Sequence, residues 1–426
     1  MEFIADMEIH SKYARAVSPQ MVLENLALWG AKKGIAVLGT GDFTHPLWFG
    51  DIKEKLEPAE PGLYRIKESY ASHEAAPHDP RATRFMLSGE ISCIYSKNGA
   101  VRRVHHLVYA PSIEAAEKIN TQLGWVGNLK SDGRPIIGID SKELLKIALA
   151  ASPDCALVPA HVWTPWFGVF GSKSGFNSLE ECFDELTGQI FAIETGLSSD
   201  PPMNWRIPFL DSKAVISSSD SHSLPRIGRE ATMFDADLSY AGIMNALRTR
   251  DRSLVGTVEF FPEEGRYHYD GHRDCNVAWS PEETKSHKGI CTVCGKPVTV
   301  GVMARVDELA AKDRPAGFKP AWAKPFYNFV PFDEVIAEAL GVGAGAKSVW
   351  KVHGEALQRF GSEFEILLRA SESDLRAGLQ PEVAEAVVRM RAGKVHITPG
   401  YDGEYGKISI FDDAERAGGK PQKSLF

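Results

Sequence analysis

The chain has 426 residues, too many for one ordinary hydrophobic core, so two or three domains are expected. Its composition, 43% hydrophobic and 24% charged, is that of a globular protein; no apolar run reaches the roughly 18 residues of a membrane span, so no membrane association is expected. A net charge of −8 argues against general nucleic-acid binding, except where clustered Asp and Glu are neutralised by bound cations.

The start, Met1-Glu2-Phe3-Ile4-Ala5-Asp6, is acidic and strand-like and lacks a basic leader, so a cytoplasmic location is expected. Ser18-Pro19 predicts a helix start, with Ser as cap and Pro at the first helical position. Apolar strand segments follow at 35–38, 85–87, 104–109, 156–158, 190–193 and 214–217. Asp140 with Glu143, and Ser178 with Glu181, have capping-box spacing and predict two further helices. Strand–helix alternation over some 260 residues predicts an α/β unit, a parallel sheet or a barrel.

Seven short segments in this region place a metal-type ligand at or just after a strand. They are Glu8-Ile9-His10, Asp42-Phe43-Thr44-His45, Gly89-Glu90, His105-His106, Ala160-His161, Ile193-Glu194 and Asp220-Ser221-His222. Residues i and i+2 on a strand share a face, so Glu8 with His10, and Asp220 with His222, can each point at one site. Any one such residue is more often structural; seven in series at strand ends are what a barrel rim gathers into a site. Mixed His, Asp and Glu ligands suit Zn, Mn, Fe or Mg, and several carboxylates allow two or three ions to share ligands. Of the neighbours His105 and His106 only one can face the site, and His105 is preferred. Asp42 is either a ligand or the partner of one.

The series resembles the PHP (polymerase and histidinol phosphatase) family, which opens with His-x-His and closes with Asp-x-His. His10, His45, Glu90, His105, His161, Asp220 and His222 match its ligand positions in order. The resemblance implies a distorted (β/α) barrel holding two to three divalent ions, Mg, Mn or Zn, with His10, Glu90 and Asp220 at the centre of catalysis. Glu8 departs from the family pattern by standing where a His is expected; a carboxylate remains a good ligand and favours harder ions such as Mg or Mn. The segments His161-Val162-Trp163-Thr164-Pro165-Trp166, Phe170-Gly171-Ser172-Lys173-Ser174-Gly175-Phe176 and Glu194-Thr195-Gly196-Leu197-Ser198-Ser199-Asp200 narrow the resemblance to endonuclease Q, over residues 3 to about 411. That implies nicking of DNA 5′ to deaminated bases (uracil, hypoxanthine, xanthine) or abasic sites. An extruded base would need a pocket, for which Trp163, Trp166 and Phe167 are the expected walls, with Lys173 near a phosphate.

After residue 262 the pattern changes. His272-x-x-Cys275 and Cys291-x-x-Cys294-Gly295 form two ligand pairs about 15 residues apart, the sequence form of a zinc ribbon with one structural Zn. His268 and His287 are alternatives for the fourth ligand, and His272 is preferred. Pro315, Pro320, Pro325 and Pro331 interrupt the next stretch, and helical patterning with glycine breaks runs from Asp333 to about Gly393. Its order resembles tandem helix–hairpin–helix motifs, in which Gly341, Gly343 and Lys347 would meet a DNA phosphate at a helix N-terminus. The expected domains are a catalytic barrel at 1–261, a zinc module at 262–312, an all-α DNA-binding region at 313–411 and a disordered tail at 412–426. Two other functions fit parts of this pattern: a small-molecule phosphoesterase of histidinol-phosphatase type, and a non-catalytic DNA-binding protein.

Overall fold

The structure, a computed structural model, describes residues 1–72 and 78–412. Apart from Asp412, the expected disordered tail lies outside the described residues. Eleven of the strands join one sheet. Its spine runs from Phe326–Asn328 through Leu254–Glu259, Ala231–Asp235, Glu2–Asp6 and Val37–Gly39 to Arg84–Lys97. Arg84–Lys97 also pairs with Ala100–Ala110, which pairs in turn with Ala156–Pro159. Ala192–Glu194 and Ala214–Ile216 form a separate parallel pair.

Alternation along these strands builds the interior. Phe3, Ala5, Val37, Met86, Val158, Ala192, Ala214, Ile216 and Phe234 come from seven strand segments and pack into one buried cluster. Side chains of so many strands meeting in one cluster is the filled interior of a small, distorted barrel. Ile4, Leu38, Phe85 and Leu87, on the opposite faces, belong to the larger core beneath the helices. Both faces are therefore buried, which is why these strands read as continuous apolar runs.

The sheet is mixed rather than parallel. Glu2–Asp6 runs parallel to Val37–Gly39 but antiparallel to Ala231–Asp235, and Arg84–Lys97 with Ala100–Ala110 is an antiparallel hairpin. Asn98 and Gly99 close that hairpin with φ of 54° and 73°. Two left-handed residues match the twist of the flanking strands, and Asn-Gly is the pair that adopts this turn at least cost. The first helix spans Leu23–Lys33, with Val22 at its N-cap and no side-chain cap. Ser18 is thus not a helix cap: Met21 N–H bonds back to Ser18 O, closing a turn over Pro19 instead. Asp140 and Ser178 do cap Ser141–Ala151 and Leu179–Phe183, accepting from the amides of Lys142 and Glu181.

Beyond the barrel, Asp270–His272 and Val277–Trp279 form a two-stranded ribbon whose core is Val277, Trp279, Cys291 and Val298. Helices Phe332–Leu340, Lys347–Phe360, Glu372–Gly378 and Pro381–Arg391 follow. A hairpin, His396–Thr398 with Lys407–Ser409, then returns to the ribbon, where Asp402 accepts from the Arg273 amide at 2.8 Å.

Phe234 is buried and stacks on Phe3 with ring centroids 5.4 Å apart, where strands Glu2–Asp6 and Ala231–Asp235 pair. Phe234→Ala should lower unfolding free energy by about 3–5 kcal/mol, measured by denaturant titration.

Candidate metal centre

The hairpin register sorts the two neighbouring histidines. Ser92 lies opposite His105 and Ile91 opposite His106, and Glu90 shares the Ser92 face. His105 therefore meets Glu90, with Nδ1 2.5 Å from Oε1. His106 points the other way, where Nε2 meets Ser141 Oγ at 2.7 Å beside Phe183 and burial pushes its pKa down to about 3.

Ligand-type atoms converge in three overlapping groups, each with all atoms within 4.8 Å of one another. Glu8, His10, Glu90 and Asp220 form one; His10, Asp220 and His222 form the second; Glu90, His105 and His161 form the third. Glu90 belongs to two of them through different oxygens. Oε1 faces His105 and lies 3.1 Å from His161 Nε2, while Oε2 lies 3.2 Å from His10 Nε2. His10 Nε2 is also 3.0 Å from Asp220 Oδ1.

The electrostatics of this pocket are unbalanced. Glu8, Glu90 and Glu194 are almost wholly buried, and Asp220 completes a group of four carboxylates. Glu8 Oε1 and Oε2 and Glu194 Oε1 are buried without a hydrogen-bond donor, and Asp220 Oδ1 has the His10 imidazole beside it. Burial, then the neighbouring carboxylates of Glu194, Asp220 and Glu90, pushes Glu8 well above the usual carboxylate range. Glu194 rises to about 7, chiefly through burial. Glu90 goes the other way: burial would raise it, but the charges of His105 and Arg134 and the hydrogen bond from His10 hold it well below normal. Burial likewise opposes protonation of His10, yet Asp42, Asp220 and Glu90 raise its pKa well above the ordinary value. Buried carboxylates in excess of their partners need compensating cations, and orphaned oxygens beside imidazoles are a donor set that fits divalent ions.

Several further residues shape the pocket. Asp42 Oδ1 lies 3.0 Å from His10 Nδ1, and its Oδ2 accepts from the amide and hydroxyl of Ser11, so Asp42 orients the imidazole. Arg134 donates to Glu90 Oε2 at 3.1 Å; no motif pointed to it. Asp42, His161, Phe167 and Asp220 all have φ between 30° and 71°. For His161 and Phe167, which carry ring side chains, this left-handed backbone is strained, and such strain concentrates at functional sites. Gly196 makes room for the turn at His161: a Cβ there would lie 2.3 Å from that of His161.

Not every expected residue converges. His45 stacks on Tyr13 with ring centroids 4.4 Å apart, lies outside the three groups and has an unpartnered Nδ1. Trp163 is fully buried, packs on Phe170 and donates its indole N–H to Asn204. The expectation that Trp163 walls a base pocket is therefore corrected: it is a core residue with no face for a base. Phe167 is half-buried against the His105 ring, 4.4 Å between centroids, and Trp166 is 39% exposed beside Tyr267. Lys173 is exposed on the loop that follows. Gly341 ends a helix with φ of 64°, Gly343 is exposed in the turn that follows, and Lys347 is exposed as the first residue of the next helix.

In the ribbon module His272, Cys275, Cys291 and Cys294 bring their ligand atoms within 4.8 Å of one another. His268 and His287 stand apart, their rings stacked on Tyr269 and Trp279. The Nδ1 of His272 is buried and unpartnered, and the amides of Cys294 and Val293 point at the Cys291 sulfur. Three sulfurs and an imidazole in this arrangement suit a tetrahedral structural ion such as Zn.

No helix among the described residues is long and apolar enough to cross a membrane. The family model of the MJ0043 C-terminal domain matches residues 331–394. The MJ0043 protein of Methanocaldococcus jannaschii is 31% identical over 270 residues, 61% of this chain but 32% of its own length, so this chain spans about a third of that relative. The crystal structure of the lesion-specific endonuclease PfuEndoQ from Pyrococcus furiosus superimposes with a TM-score of 0.83 and 27% identity, covering 97% of this chain and 96% of that one. Endonuclease Q in complex with a 27-mer duplex carrying an abasic lesion at its active site gives 0.82 and 27%, covering 98% of both chains.

Cys291→Ser or Cys294→Ser should each remove about one zinc per chain and lower the melting temperature. Elemental analysis with a thermal melt checks this, and an unchanged zinc content would exclude the ribbon site.

Proposed function

The chain belongs to the endonuclease Q family, and on that premise we propose that it is a metal-dependent endodeoxyribonuclease that nicks DNA 5′ to damaged bases. The observation that carries this reading is Glu90, a buried carboxylate whose two oxygens face two different ligand groups. Glu8, His10, Glu90 and Asp220 would hold one ion, Glu90, His105 and His161 another, and His222 would extend the first site. Divalent ions held by these residues would supply Lewis acidity toward a water and would screen the charge of a phosphate. The carboxylate of Glu8, where the family pattern has His, favours Mg or Mn over Zn.

The chain's own groups do the rest. Asp42 fixes the tautomer and direction of His10. Arg134 holds Glu90 charged and keeps N–H donors free to meet a phosphate oxygen. Asp220 and His222 would supply ligands from the loop after Ala214–Ile216, while His45 stacks on the Tyr13 ring outside the three groups.

The substrate is DNA containing uracil, hypoxanthine or xanthine, or an abasic site. Such a lesion must leave the stack to be read. Phe167, which packs on the His105 ring, and the partly exposed Trp166 next to it in sequence would contact it. Lys173 would meet a flanking phosphate. Residues 1–261 form the catalytic unit and 262–312 the zinc module. Residues 313–411 form the DNA-binding unit, where Gly341, Gly343 and Lys347 would admit a backbone phosphate. Such contacts add affinity without sequence information.

Labelled duplexes carrying uracil, hypoxanthine, an abasic site or no lesion, incubated with Mg or Mn, test the reading. A single nick 5′ to the lesion, absent with EDTA and on the intact duplex, is expected. Asp220→Ala and His222→Ala should each lower turnover beyond the roughly 10–100-fold that loss of a residue merely orienting a ligand costs. Equal cutting of intact duplex, or full activity in both variants, would contradict it.

A further inference from the structure

The closing ligand pair is held both from within the barrel and by the C-terminal helices. Arg229 donates to the carbonyls of Ser219 (2.8 Å) and Asp220 (3.2 Å), and Asp6 accepts from the amides of Ser219 and Gly228. The segment between, a single turn at Leu224–Arg226, is gripped by the C-terminal helices. Arg226 lies 2.5 Å from Glu334 and 3.9 Å from Asp333, both in the first turn of helix Phe332–Leu340. Lys33 donates at 2.8 Å both to Pro225 O and to Glu363, whose other oxygen meets His353 Nε2 at 2.7 Å. Lys33 and Glu363 side chains are each 4% exposed. The backbones also approach closely: a Cβ on Gly228 (φ 73°) would lie 3.3 Å from the Phe364 ring, and one on Gly34 (φ 84°) 2.5 Å from Ser362 Oγ.

A buried ion pair is seldom retained for net stability, since apolar residues of like volume often do as well. Its geometry does specify: Lys33 ties a backbone carbonyl of the ligand loop to a carboxylate of the helical region. We propose that Arg226, Lys33, Glu334 and Glu363 are positioning residues through which the C-terminal helices set the placement of Asp220 and His222. The region that would grip DNA backbone thereby also completes the metal site. The inference rests on the reading of Asp220 and His222 as ligands. It makes the barrel incomplete without residues 331–364, although every ligand lies at or before His222.

Full-length variants test it. Mn binding is measured by calorimetry, and kcat and KM on a lesion duplex are measured with it, below each variant's melting temperature. Arg226→Gln should weaken Mn affinity by about 10-fold or more, as loss of a residue that orients a ligand does, and lower kcat with KM for DNA nearly unchanged. The exchange Arg226→Glu with Glu334→Arg should recover most of the affinity. Lys33→Met with Glu363→Leu replaces the buried pair by apolar groups and keeps the fold, yet should weaken Mn binding too. Unchanged Mn affinity in these folded variants, or a rise in KM alone, would overturn the inference. If the parent protein bound Mn with this sensitivity but nicked no lesion duplex, the nuclease reading would fall and the positioning role would stand.

Discussion

A single buried carboxylate organises this molecule. Glu90 has one oxygen against His105 and His161 and the other against His10, with Arg134 closing the ring. A carboxylate so buried is costly unless matched by positive charge. Histidines and an arginine supply part of that charge, and the orphaned oxygens of Glu8 and Glu194 call for more. The rest of the fold delivers these groups to one point. Parallel pairing sets the ends of Glu2–Asp6 and Val37–Gly39 beside the start of Arg84–Lys97, at Phe85 and Met86 just before Glu90, and the Asn98-Gly99 hairpin sets His105 on the Glu90 face.

The same economy governs the outer parts. The ribbon has a core of only four buried residues, so four ligands around an ion would supply most of its cohesion. The helical region, by contrast, shares one large apolar core with the barrel, to which Val335, Val349, Leu375 and Val387 contribute. Its charged contacts with the barrel, at Lys33 and Arg226, are directed at the ligand loop instead.

Much of the site was legible in the sequence because ligand chemistry is local: Glu8-x-His10 and Asp220-x-His222 are short spacings just past the strands Glu2–Asp6 and Ala214–Ile216, and Cys291-x-x-Cys294 is another. The strand positions from 85 to 217 were legible as apolar runs for the same reason. Direction was not, since a buried strand looks alike in parallel and antiparallel pairing; the Asn98-Gly99 turn was the one local sign of the hairpin. Ser18 illustrates a cap signal overridden by a tighter turn four residues before the helix. Arg134 lies in a polar loop far from any motif, and its pairing with Glu90 is purely tertiary. Trp163 stands in a segment rich in aromatic residues, where sequence cannot separate a wall from a core; its hydrogen bond to Asn204 decides for the core.

Mn electron paramagnetic resonance tests most directly whether Glu90 would be shared by two ions. With two equivalents of Mn bound, an exchange-coupled signal is expected, and its loss in Glu90→Gln while single-ion binding remains. Two uncoupled ions in the parent protein, or coupling that survives Glu90→Gln, would contradict that sharing.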